Sequence, residues 1–181
     1  MIGINKAGEY NEFPVKSVIR SNGDDILRRK PSRFIKYDYS SPGSYFITIP
    51  THNKKHLLSH VVCKRENTLP KNILTPTGKL LEKTIQYINK NYVGIKVAEY
   101  AIMPNHIHLI IVTANSGGRG VPSIHKVIGQ LKGYTTGKSG GVLWQRSYHN
   151  YVISSKAEYL KICEYMNTNV LSWKEDCYYT E

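Results

Sequence analysis

Two histidines one residue apart, His106 and His108, open the apolar run of MPNHIHLIIV at residues 103–112. In a strand, residues two apart project from the same face, so both imidazoles would stand together while Ile107 points away. Two neutral imidazoles about one pleat apart can chelate a divalent cation. The pair is an incomplete site and needs a further ligand from elsewhere. Near the other end of the chain, Tyr165 and Asn169 are four residues apart, which on a helix stacks a phenol and an amide on one side. If that helix lay on the histidine face, Asn169 could complete the metal's ligands and Tyr165 would stand beside them. A tyrosine next to a phosphate-binding metal is an apparatus for attacking phosphorus, with the cation polarising a phosphoryl oxygen. Spacing alone leaves this open: HxH recurs by chance among seven histidines, and Tyr165 is one of 14 tyrosines. Tyr148, Tyr151 and Tyr159 compete as nucleophiles, although Tyr159 falls about 240° around the helix from Tyr165. A second histidine series, His52, His56 and His60, has helical spacing but directly follows a strand pattern, lacks a carboxylate or cysteine, and reads as a solvated turn.

The elements that must hold these groups follow from periodicity and punctuation. SYFITIP (44–50) is rich in aromatic and β-branched residues and predicts a strand. GKLLEKTIQYINKNY (78–92) repeats Leu80, Leu81, Ile85, Tyr87 and Ile88 at helical spacing. GIKVAEYAIM (94–103) and HIHLIIVT (106–113) predict a strand hairpin turning at Pro104-Asn105. Ser123 opens an amphipathic helix through Ile124, Val127, Ile128 and Leu131, followed by KGYTTGKSGG, read as a flexible basic loop. VLWQRSYHNYVI (142–153) predicts a further strand. The last helix starts at the capping box Ser155-x-x-Glu158, with Leu160, Cys163 and Val170 as its expected core stripe. This order predicts an α+β fold, a ferredoxin-like or RRM-like antiparallel sheet with helices packed on one or both faces.

The whole chain is consistent with that plan. Its 181 residues suit one domain (33–181) behind a loosely ordered N-terminal extension (1–32) that ends in Arg28-Arg29-Lys30-Pro31. No run approaches the ~18 apolar residues of a membrane span, and MIGINKAGEYNEF lacks a signal-peptide core. Cys63, Cys163 and Cys177 match no zinc or disulfide spacing, so reduced thiols in a cytoplasm are expected. The net charge of +12 and the 14 tyrosines favour a polyanion with unpaired bases: lysines and arginines neutralise phosphates and phenols stack on bases.

Five segments, YFITIPTHNKKHLL, LTPTGKLLEK, EYAIMPNHIHLIIV, VLWQRSYHNYVIS and EYLKICEYMNTNVLSW, occur in the order found in REP-associated tyrosine transposases. The chain resembles that family, part of the single-tyrosine HUH endonuclease and transposase superfamily, over roughly residues 33–178. The resemblance implies a transposase that cuts single-stranded, hairpin-forming DNA through a 5′-phosphotyrosine and a free 3′-OH. It makes Tyr165 the nucleophile and His106, His108 and Asn169 the ligands of Mg²⁺ or Mn²⁺. It further suggests Arg33, Lys36 and Tyr37 as contacts to a guide sequence, and Lys132, Lys138 and Arg146 as contacts to hairpin phosphates. The implied setting is the bacterial cytoplasm and its nucleoid, as a monomer or a homodimer, with no membrane contact. A non-cleaving, domesticated DNA-hairpin-binding protein is the alternative, and a related relaxase or replication initiator a third. One departure stands out: the family's Tyr-Ile-x-x-Asn-Pro is here Tyr165-Met166-Asn167-Thr168-Asn169-Val170, so the helix is expected to run past Asn169.

Overall fold

The computed structural model of the protein describes residues 42–62, 69–114, 121–173 and 178. The extension 1–32 and the candidate DNA contacts Arg33, Lys36 and Tyr37 lie outside the described residues. In chain order the elements are β1 (Gly43–Pro50), β2 (Ser59–Val62), β3 (Lys71–Leu74), α1 (Pro76–Asn91), β4 (Ile95–Ile102), β5 (His106–Thr113), α2 (Ile124–Ser139), β6 (His149–Ile153) and α3 (Lys156–Thr168). Four strands form one sheet in the order β4-β5-β1-β6, with every neighbour antiparallel. Apart from β2 and β3, the order β1-α1-β4-β5-α2-β6 is that of a ferredoxin-like fold, and the expected α+β class holds.

Strand alternation divides the sheet's two faces. Tyr45, Ile47 and Ile49 of β1 and Ile107, Leu109 and Ile111 of β5 enter the main core with Leu81, Ile85 and Ile88 of α1 and the Ile124, Val127, Ile128 and Leu131 stripe of α2. The opposite face carries Phe46, Ile110 and Ile153, and α3 lies on it through Ile162 and Met166. Burying each of those two side chains contributes about 1.5–3 kcal/mol. This second face also carries the histidines, so α3 covers the site.

Several sequence expectations need correction. The α3 stripe is Ile162, Met166 and Asn169, whereas Leu160 is 57% exposed and Cys163 and Val170 are half-buried. Tyr87 is 61% exposed on α1, outside that helix's buried face. KGYTTGKSGG is no loop: α2 continues to Ser139 and stops at Gly140, whose φ of 74° suits a glycine. Gly133 and Gly137 cost that helix only about 1 kcal/mol each, and Thr135 inside it accepts a 2.8 Å hydrogen bond from Trp144 Nε1. The strand expected over 142–153 is regular only from His149; residues 142–148 are held by single ties such as the Thr51–Trp144 bridge and Gln145 N donating to Pro50 O. At the end of α3, Asn169 keeps helical angles and turns follow it, so the helix itself stops at Thr168.

The β2–β3 pair was not foreseen. It lies beside the β4–β5 turn, where Leu58 N donates to Pro104 O and Ser59 Oγ to Ile102 O. Helix α1 closes on the same segment: Thr75 caps it by accepting from Gly78 N and donates to the Leu57 and Leu58 carbonyls. A Cβ on Gly78 would sit 2.1 Å from Leu58 O, so only glycine permits this approach.

Candidate active site

The histidine pair sits where β5 leaves its hairpin turn. Antiparallel register sets Thr48 of β1 opposite His108 and Pro50 opposite His106. Thr48 Oγ1 is accordingly 2.8 Å from His108 Nδ1. His106 Nδ1 is 3.0 Å from Asn105 Oδ1 in the turn. With each ring held at Nδ1, the two Nε2 atoms converge to 3.0 Å. The ring of Phe46, two residues from Thr48 on the same face, stacks on His108 at 5.1 Å.

Helix α3 brings the tyrosine to this pair within one chain. Tyr165 Oη is 3.3 Å from His108 Nε2, and the phenol is 36% exposed, so it meets both the imidazole and solvent. Its ring meets His108 edge-on at 5.4 Å and Phe46 at 6.4 Å. Asn169 extends the buried stripe of Ile162 and Met166, is 2% exposed, and its Nδ2 has no hydrogen-bond partner among the described residues. An unpartnered buried amide costs stability unless something polar meets it. Trp173 and Tyr178 lie over His106, with ring centroids at 6.1 and 4.6 Å.

Electrostatics keep the pair uncharged. Burial lowers the pKa of His108 to about 3. Burial, then His108, then the Lys54 ammonium push His106 well below the ordinary histidine range. Neutral imidazoles offering lone pairs are the form that binds cations. Among the described residues no group of three or more His, Cys, Asp or Glu could hold an ion. The candidate donors are the two imidazole nitrogens and, on the covering helix, the buried Asn169 side chain. The two converging imidazole nitrogens suit a divalent cation such as Mn²⁺ or Mg²⁺. The unpartnered Asn169 atom is the amide nitrogen, a donor, so any ligand role of that side chain falls to its Oδ1.

The rival tyrosines are engaged elsewhere. Tyr151 bonds to Glu158, and burial followed by that carboxylate raises its pKa. Burial, then Cys163 and Glu99, raise that of Tyr159. Tyr148 bonds to His125 on α2. The triplet His52, His56 and His60 is split between a 3-10 turn, a loop and β2, and His56 packs edge-on against Trp173. Of the three expected DNA-contact cations described, Lys138 and Arg146 are exposed. Lys132 instead ties α2 to the irregular strand, donating to Gln145 O at 2.6 Å and Arg146 O at 3.0 Å. Sequence reasoning missed Thr48, Phe46, Asn105 and Lys54 as neighbours of the site. Strand alternation already groups Phe46 with Thr48, but only the β1–β5 register shows that they oppose the histidines.

The fold and site define a ferredoxin-like domain with paired histidines beside a tyrosine of its last helix, and sequence comparison gives the family. Residues 53–169 match the family described as "Transposase IS200 like", and the chain belongs to it. An uncharacterised protein of Haemophilus influenzae is 27% identical over 178 residues, covering 86% of this chain and 96% of that one. The fold is similar to that of a REP-associated tyrosine transposase bound to a REP hairpin, with a TM-score of 0.58 and 18% identity over 80% of this chain and 74% of that one. No described helix is long and apolar enough to cross a membrane.

Proposed function

We propose that this transposase is a metal-dependent endonuclease and strand transferase for single-stranded, hairpin-forming DNA, of the REP-associated type, with Tyr165 as nucleophile. The observation that carries the reading is the 3.3 Å approach of Tyr165 Oη to His108 Nε2 within one chain. Tyr165 Oη bonds to phosphorus as the phosphorus–O3′ bond breaks; the phenol loses its proton and the departing 3′ oxygen gains one. The phosphodiester's energy is kept in the 5′-phosphotyrosine, so the 3′-OH can later attack it and rejoin strands without an external energy source. His106, His108 and Asn169 would hold Mg²⁺ or Mn²⁺, which when bound would stabilise charge on the phosphoryl oxygens.

The chain's other groups have supporting roles. Phe46 packs against both His108 and Tyr165, which limits how far either ring can swing. Lys54 is close enough to depress the His106 pKa, and with Asn53 it adopts a left-handed backbone (φ 51° and 53°) that is uncommon outside glycine. Such a cation beside the histidines suits a contact to the scissile phosphate. Lys138 and Arg146 suit the hairpin backbone, in keeping with the net charge of +12. The hairpin partner is supported by the DNA-bound relative of similar fold, and the setting is the bacterial cytoplasm. The meeting of Tyr165 with the His106–His108 pair supports cutting over hairpin binding alone.

The test is Tyr165→Phe with Mn²⁺ and a hairpin substrate labelled at its 3′ end, because the fragment 3′ of the cut is the one that stays on the tyrosine. The wild type is expected to form a covalent DNA adduct that survives denaturing electrophoresis. The variant should bind the hairpin with near wild-type affinity and form none. An adduct persisting in Tyr165→Phe would overturn the assignment.

A further inference from the structure

Which nitrogen of each imidazole carries the proton can be worked out from groups that can only donate or only accept. The Tyr178 backbone carbonyl only accepts, and it lies 2.6 Å from the Asn105 amide, so that contact must come from Nδ2. Asn105 Oδ1 is thereby turned to His106 Nδ1 at 3.0 Å, and an amide oxygen only accepts. His106 therefore carries its proton on Nδ1 and its lone pair on Nε2. Asn105 is held rigidly for this purpose: it is fully buried, and its own carbonyl accepts from Thr51 N at 2.8 Å and Thr51 Oγ1 at 3.0 Å.

His108 is held differently. Its Nε2 faces the His106 lone pair at 3.0 Å, so without a cation it must present a proton there. Its Nδ1 then carries a lone pair and accepts from the Thr48 hydroxyl at 2.8 Å. A hydroxyl can turn to donate or accept, so Thr48 serves either tautomer of His108, whereas the anchored amide of Asn105 serves only one of His106.

We infer that Asn105 is a positioning residue that commits His106 Nε2 to metal binding in advance, while Thr48 lets His108 exchange its proton between nitrogens when a cation arrives. In that exchange the proton leaves Nε2 and one is taken up at Nδ1 through solvent, so the ring stays neutral and the Thr48 hydroxyl reverses from donor to acceptor. The inference rests on the proposed metal site for its purpose, but the tautomers of the metal-free chain do not depend on that reading. Partners that orient the far nitrogen of a ligating histidine are worth about 10–100-fold in metal affinity.

The experiment is long-range ¹H–¹⁵N correlation on the full ¹⁵N-labelled chain treated with chelator, alongside Mn²⁺ titration of the same samples. The wild type should show Nδ1–H for His106 and Nε2–H for His108. Asn105→Leu, which keeps bulk but offers no acceptor, should lose the His106 preference and bind Mn²⁺ about 10–100-fold more weakly. Asn105→Asp, which keeps an accepting oxygen toward His106 but loses the donor to the Tyr178 carbonyl, should hold the tautomer and bind Mn²⁺ better than Asn105→Leu. Thr48→Val should weaken Mn²⁺ binding while leaving the His106 tautomer unchanged. Thermal melts establish that each variant is folded, and Asn105→Asp and Thr48→Val keep the test alive if Asn105→Leu is not. An unchanged His106 tautomer in folded Asn105→Leu, or Nε2–H on wild-type His106, would overturn the inference. The stated tautomers in a wild type that binds no Mn²⁺ would uphold the positioning and defeat the metal reading instead.

Discussion

His106 and His108 are inside the protein because α3 closes over them, and that closure makes their charge state a stability term. Both fold with pKa values below the ordinary histidine value near 6.5, His108 at about 3. Below about pH 6.5 the unfolded chain binds protons that the folded chain refuses, so stability is full above that pH and falls as acid is added toward pH 3. The slope is up to about 1.4 kcal/mol per pH unit for each histidine. The urea midpoint of the chelated protein should therefore drop steadily from pH 7 to pH 5, and His108→Gln should flatten the profile. An equal slope in that variant would mean that His108 does not titrate as its burial demands. Residue chemistry also separates the tyrosines: Tyr151 and Tyr159 hold their protons more tightly than a free phenol. Tyr151→Phe and Tyr159→Phe should each still form the DNA adduct, and loss of it in either folded variant would reopen the choice of nucleophile.

At the scale of elements, what could be read from the sequence depended on whether a segment carried one pattern or several. HIHLIIVT has a strict strand character, and β5 spans the expected His106–Thr113. α3 is different, because apolar residues occur on more than one of its sides, and period alone could not say that Ile162 and Met166 rather than Leu160 meet the sheet. The glycines of KGYTTGKSGG read as breakers, yet the tie from Trp144 to Thr135 and the stripe ending at Leu131 hold that segment helical. Gly78 reads as an unremarkable helix-start residue, because nothing local reveals the Leu58 carbonyl pressed against it. That contact gives a prediction at this scale. Gly78→Ala places a methyl 2.1 Å from backbone and must push α1 off the Leu57–Ser59 segment, at a cost of about 1–3 kcal/mol by overpacking. The same segment supports the Pro104 turn through Leu58 N, so Mn²⁺ affinity should weaken along with stability. Denaturant unfolding and Mn²⁺ titration check the two halves separately, and unchanged stability would show that α1 shifts freely.

For the whole molecule, the pairing of distant parts is what the sequence carried least directly. Fifty-seven positions separate His108 from Tyr165, and only the β1–β5 register together with the face chosen by α3 brings them into contact. The family resemblance bridged that distance where periodicity could not. Charge is distributed in the same indirect way: the sequence supplies +12, but only the fold says which cations are available to a polyanion. Lys132 gives two donors to the Gln145 and Arg146 carbonyls, and burial lowers its pKa. Lys138 and Arg146 stand in solvent. Each cation that neutralises a duplex phosphate adds about 0.9 to the slope of log affinity against log salt concentration. Lys138→Ala and Arg146→Ala should each reduce that slope by about one unit on a hairpin while leaving stability nearly unchanged. Lys132→Ala should do the reverse, lowering the melting temperature by freeing residues 142–148 and leaving the salt slope close to that of the wild type. Fluorescence anisotropy over a KCl series reads the slopes. If Lys132→Ala removed a full unit of slope and cost no stability, that lysine would belong to the DNA surface and not to the tie between α2 and the segment 142–148.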